Sequence, residues 1–226
     1  MLHYKNLTII GTSHIARASI KEVIEILERE KPEFIALELD EQRLHSLFSK
    51  EKRNNLEVLK ALGVKVFLLN LLGSYLQKKL GNLVGVAPGS EMKKAAIIAK
   101  KQKSKLVLID QDVRITLKKL LKIPRKEKWR IFTDSLKGMI KKEERIAIDL
   151  TQVPKKDFIL DILKRIKERY PSIYQVLIED RNIHMGKSLY TLMTQFPQEK
   201  IIAIMGAGHE EGVLLEIQKN EKLSAH

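Results

Sequence analysis

Four short apolar runs divide the chain, and between them apolar positions recur every three or four residues. The runs are Leu7 to Ile10, Phe34 to Leu39, Lys105 to Ile109 and Ile201 to Met205. Apolar on both faces and closed by Gly or Asp, each reads as a buried strand, and the intervening periodicity reads as helix. After the first run, Ile20, Val23, Ile24 and Leu27 mark a helix through Glu30, with Ser19 as its N-cap and Pro32 as its stop. The opening is therefore β-α-β. Asp40 is placed to cap a helix from Glu41 to about Lys50. Further helices are expected over Asn54 to Leu62 and Val64 to about Leu80, and a loop over Gly81 to Ser90. Ser90 then caps a helix with Ala95, Ala96, Ile97 and Ala99 facing inward. From Val113 to about Phe196 the pattern is helical, broken at Pro124, Pro154 and Pro171, and a last helix runs from Glu210 to about Lys219 before a frayed tail. The expectation is a single α/β domain over residues 1–226. It has a mainly parallel central sheet flanked by helices, a sheet core at 1–112 and 198–219, and a helical insertion or cap over about 113–197.

Composition changes this picture in three places. The 226 residues include no cysteine, which excludes disulfides, thiol chemistry and thiolate metal sites and leaves His, Asp and Glu as side-chain ligands. The formal charge of +14 points first to an acidic partner such as nucleic acid. However, the lysines are mixed with glutamates, as in Lys141-Lys142-Glu143-Glu144-Arg145, so solvated helix faces come first and a nucleic-acid surface is not expected. The longest apolar stretch, Val66 to Leu72, is interrupted by Asn70 and falls far short of the ~20 residues of a membrane span. With no signal-peptide pattern ahead of the first strand, a cytoplasmic location is expected.

Two of the strands end alike. Leu7-Thr8-Ile9-Ile10 leads into Gly11-Thr12-Ser13-His14, and Ile201 to Met205 leads into Gly206-Ala207-Gly208-His209. If both strands are parallel in one sheet, both imidazoles lie at its C-terminal edge, where open α/β sheets place ligands. Glu38 is the strongest single anomaly, a carboxylate within an apolar strand that must be paired, metal-bound or protonated. One reading is an ion pair with Arg43 or Arg181. The other combines Glu38 with His14 and His209 as a set able to hold a catalytic divalent metal. Arg43, Glu91, Asp110, Asp112, Arg114, Arg181 and Asn182 form a second tier. For Glu91 the rival role is helix stabilisation, for Asp110 and Asp112 helix capping, and for Arg181 and Asn182 a solvated helix face.

Taken in order, Gly11-Thr12-Ser13-His14, Glu38-Leu39-Asp40 with Arg43, Pro88-Gly89-Ser90-Glu91-Met92, Ile109-Asp110-Gln111-Asp112, Arg181-Asn182 with Met185, and Gly206-Ala207-Gly208-His209 with Gly212 resemble the TraB family. That family includes conjugation-pheromone shutdown proteins. It is similar to the TIKI metalloproteases and, more distantly, to haem-uptake ChaN and erythromycin-esterase-type folds. The resemblance covers nearly the whole chain and implies a divalent-metal-dependent hydrolase acting on peptides. His14, Glu38 and His209 would hold Mn, Co or Zn, and Arg43 or Arg181 would stabilise an oxyanion or a substrate carboxylate. Glu91 and Asn182 match motif positions that would line the substrate site, and a variant makes Glu38 the general base with Asp110 as a ligand. The alternative is a module that captures a peptide or pheromone without cleaving it, and a homodimer is left open as the assembly. Two departures from the family pattern are the lack of membrane helices after Gly212 and the order Asp180-Arg181-Asn182, where Glu-Arg-Asp is more usual.

Overall fold

The structure is a computed structural model that describes residues 1–12, 17–49, 89–140 and 156–224, with backbone alone at 17–19, 132, 135–140 and 156–158. Five strands form one sheet in the order β1-β2-β5-β3-β4. They are β1 (Leu2–Tyr4), β2 (Leu7–Thr12), β3 (Phe34–Leu37), β4 (Lys105–Leu108) and β5 (Ile201–Gly206). Only the β1 to β2 pairing is antiparallel; β2, β5, β3 and β4 run parallel. The last strand of the chain is thus the middle strand of the sheet. Its six residues are all buried, because β2 and β3 cover its two edges and helices cover its two faces.

The period-two pleat sorts the strand residues between two cores. Ile10, Ile35, Leu37, Ile202 and Ile204 face one layer, packed by Val23 and Leu27 of α1 (Arg17–Glu30) and by Met92, Ala95 and Ala99 of α3 (Ser90–Gln102). Leu7, Ile9, Phe34, Ala36, Ile201, Ala203 and Met205 face the other. There they meet Met185, Leu189, Leu192 and Met193 of α8 (Asp180–Gln195) and Val213 and Ile217 of α9 (Glu210–Ser224). The spacing 185, 189, 192, 193 is one apolar stripe of a helix.

The remaining described helices are α2 (Glu41–Phe48), α4 (Val113–Lys122), α5 (Arg125–Ile140), α6 (Lys156–Arg169) and the short α7 (Pro171–Tyr174). A π-helical turn, Gln175–Glu179, leads into α8. The mixed α/β architecture agrees with the expectation. Between 113 and 197 the described segments are helical, but α8 is one of the layers that cover the sheet.

Several local expectations are corrected. Strand β3 ends at Leu37, so Glu38 follows the strand, although its N–H still donates to the Ile204 carbonyl at 3.1 Å. Strand β4 ends at Leu108, before Ile109. Ser19 lies inside α1, and Ser90 is the first residue of α3, whose N-cap is Gly89. Ile97 is 46% exposed while Ile98 is buried, a one-residue error in helix phase. Helix α9 continues through Ser224, beyond the Lys219 expected. The helices expected over 54–80, the loop over 81–88 and Pro154 lie outside the described residues.

Candidate functional site

Parallel strands deliver their C-terminal ends to one edge, and the residues after them build the site. Glu38 follows β3 directly, Asp110 stands two residues past β4, and His209 stands three past β5. Asp40 accepts from the Arg43 N–H at 2.7 Å, capping α2, and from the Val113 N–H at 2.9 Å, which ties the start of α4 to the same carboxylate. Arg181 and Asn182 come from the first turn of α8 and reach the edge from the helix-covered face.

Arg181 is the hub. Its Nε–H donates to Asp110 Oδ1 at 3.1 Å, and Nη2 donates to Asp110 Oδ2 at 2.8 Å and to Glu38 Oε1. Nη1 donates to the Leu177 carbonyl at 3.2 Å and approaches His209 Nε2 at 3.1 Å. All five N–H groups of the guanidinium are thereby placed on acceptors. The Leu177 carbonyl belongs to the π-helical turn, a rare insertion that is frequent beside functional sites. Arg43 adds a second cation, with Nη2 donating to Asp110 Oδ2 and to the Glu38 carbonyl at 3.2 Å. The Arg181 side chain is 15% exposed, against 6% for Glu38 and 1% for Asp110, while Arg43 at 34% reaches solvent. Burial opposes charge on Arg181, but Glu38 and Asp110 overcome it and hold the guanidinium above its ordinary pKa. It remains a cation at every accessible pH.

His209 is 5% exposed, and its Nδ1 lies 2.7 Å from Asn182 Oδ1. An amide oxygen only accepts, so with this amide orientation Nδ1 carries the proton and the Nε2 lone pair faces Arg181, with Glu38 Oε1 3.6 Å away. The other carboxylate oxygen, Glu38 Oε2, accepts from the Gly206 N–H at 2.6 Å. Two glycines make this packing possible. A Cβ on Gly212 would sit 2.1 Å from Asn182 Nδ2, and one on Gly11 would sit 2.3 Å from the Glu210 carboxyl carbon. Any side chain at Gly212 would push Asn182 off the imidazole.

Of the residues singled out in the sequence, Glu38, Arg43, Asp110, Arg181, Asn182 and His209 meet in one network. Asp112 caps α4 through the Arg114 N–H at 2.7 Å and pairs with the Arg114 side chain. Glu91 is 1% exposed in the first turn of α3 and is not among the partners of Arg181. His14 lies outside the described residues; Thr12, at the end of β2, accepts from the Ala207 N–H at 2.9 Å. Sequence reasoning missed Glu210, 3% exposed beside His209, and the double cap at Asp40. The burial of Glu210 follows from its carboxyl lying against Gly11 of β2, a contact with no signal in the sequence.

Among the described residues, a divalent metal does not fit this arrangement as it stands. The two described donors expected to hold it, His209 Nε2 and Glu38 Oε1, both face the Arg181 guanidinium. Among the described residues no three His, Asp or Glu side chains are spaced to hold an ion.

The molecule is therefore an α/β protein with a mostly parallel sheet and a guanidinium-centred polar network at the edge formed by the C-terminal ends of the parallel strands. Residues 3–221 match the sequence model of the TraB/PrgY/gumN family, to which this chain belongs. The chain is also similar to protein MJ1365 of Methanocaldococcus jannaschii, at 37% identity over 219 residues, 94% of this chain and 53% of that relative. It spans about half the length of that curated relative. No described helix is long and apolar enough to cross a membrane.

Proposed function

We propose that this TraB-family domain is a hydrolase acting on peptides, with His209 and Glu38 as its reacting groups and Arg181 as their fixed counter-charge. The observation that supports it most is the orientation of His209, whose Nδ1–H is anchored on Asn182 while Nε2 lies 3.6 Å from Glu38 Oε1. A base needs its tautomer fixed, and a carboxylate close by stabilises the imidazolium once it forms. A water bound against Nε2 beside Oε1 would lose its proton to Nε2 as it attacks the amide carbonyl. The Arg181 Nη1–H that rests on Nε2 would turn to the developing oxyanion. His209 would then return the proton to the leaving amine. Arg43, the more exposed cation, faces the solvent side and suits a substrate carboxylate.

The test is cleavage of an unbiased peptide library by the whole chain, read by mass spectrometry with and without chelator. His209→Ala and Glu38→Gln are expected each to lower the rate by about 100-fold or more. An active His209→Ala protein sinks the proposal. One observation favours the second reading, capture without cleavage: at rest the Nε2 lone pair is occupied by Arg181. Under that reading peptides bind, Arg43→Ala weakens them, and His209→Ala leaves both binding and the absence of product unchanged.

A further inference from the structure

We infer that Arg181 is the resident cation of this site and that a divalent metal ion can enter only by displacing it. This rests on the geometry of the network and not on the hydrolase reading. The guanidinium lies among Glu38 Oε1, Asp110 Oδ2 and His209 Nε2, the atoms of the described residues that a hard or borderline cation would seek at this edge. Each of the three receives an N–H from Arg181, so each atom that would ligate a metal already has a proton directed at it.

Charge leads to the same exclusion. Arg181 and Arg43 face Glu38, Asp110 and, through Arg43 Nε at 3.4 Å, Asp40, two cations against three carboxylates; Arg181 and the carboxylates are largely withdrawn from water, while Arg43 is 34% exposed. Adding a dication beside both guanidinium groups would place like charges side by side in a poorly screened site. Removing Arg181 would leave the three carboxylates with Arg43 alone, and the space that the guanidinium filled would be lined by two carboxylate oxygens and an imidazole nitrogen. These donors surround a planar group rather than a point, so they must close inward around an ion. His209 already has its Nδ1–H fixed by Asn182, the arrangement that orients metal-ligating imidazoles.

The donor set left without Arg181 also identifies the kind of ion. Two carboxylates and one imidazole suit Mn, Co or Zn, and with no sulfur in the set a soft cation such as Cu(I) gains little.

The test is metal content, measured apart from turnover. The whole chain and its Arg181→Ala and Arg181→Met variants are stripped with chelator, equilibrated with Mn or Zn, desalted and analysed for bound metal, with affinity by titration calorimetry. The wild type is expected to retain far less than one equivalent. The variants are expected to approach one equivalent, with affinity at least about tenfold tighter, a change of about 1.4 kcal/mol. A wild type that retains a full equivalent, or variants that fold but bind no better than wild type, overturns the inference. If a variant is unfolded after stripping, recovery of its circular dichroism and melting transition on adding Zn supports the exchange, and failure to recover overturns it. Loss or presence of peptide cleavage in the same samples bears on the hydrolase proposal alone.

Discussion

Two arginines in this chain grip an aspartate with the same two-pronged fork, and their surroundings give them opposite meanings. Arg169 donates to Asp134 at 2.7 and 2.6 Å from the helical segment, with side chains 56% and 21% exposed. Arg181 donates to Asp110 at 3.1 and 2.8 Å with side chains 15% and 1% exposed. The longer contacts are the more consequential ones. At the surface, water competes for each hydrogen bond and two long side chains must be immobilised, so such pairs contribute little. In the interior the ions have lost their hydration, and the arrangement persists only because every donor is met. Burial, and not bond length, separates a solvated contact from a structural centre.

The sharpest way to break the comparison is to delete each arginine. Arg181→Ala, measured by urea unfolding without metal, is expected to cost about 3–5 kcal/mol, since Glu38 and Asp110 are left charged and buried. Arg169→Ala is expected to leave the unfolding midpoint where it was. Equal losses at the two sites would remove the distinction. Next in size is Asp40→Ala, which frees two helix N-termini at once: about 1–2 kcal/mol per cap is expected, and urea midpoints should show it exceeding Asp112→Ala. Gly212→Ala comes third, at about 1–3 kcal/mol for overpacking against Asn182. Its second readout is the His209 ring, whose Nδ1 proton resonance should shift or broaden once Asn182 is displaced.

The smallest effect is a pH effect. The Arg114 side chain, on Asp112, lowers that carboxyl below its usual 3.8, against a smaller opposing push from partial burial. A depressed folded pKa gives stability that is present above the unfolded value and is lost as pH falls through the folded one. Acid titration of the wild type should therefore show a contribution from Asp112 vanishing below about pH 4, and Asp112→Asn should remove that contribution.

What the sequence made legible follows from which signals are local. Buried parallel strands carry continuous apolar runs, so Phe34 to Leu37 and Ile201 to Met205 were visible without any partner. Glu38 stood out because a carboxylate interrupts such a run, and the two Gly-x-x-His segments because they repeat. Arg181 and Asn182 gave no such warning. A polar first turn of a helix looks the same whether it faces solvent or a sheet edge, and only the packing of Met185 and Leu189 below it turns that turn inward. Ile97 and Ile98 are adjacent and equally apolar, so periodicity could not set the phase of α3. The π-helical turn at Gln175–Glu179 has no composition of its own, and the tie between Asn182 and Gly212 joins positions whose spacing carries no pattern.

The middle position of β5 has a consequence for how the chain is made. During synthesis, β2 and β3 leave the ribosome long before the strand that must lie between them, and until residue 206 has emerged each presents an unpaired edge toward the other. The nascent protein therefore passes through a stage in which its sheet is split into two halves, a form prone to sticking to other chains and suited to chaperone custody. Because His209 arrives later still, the polar network at the sheet edge cannot assemble on an incomplete polypeptide, and a chain terminated early would be a client for degradation.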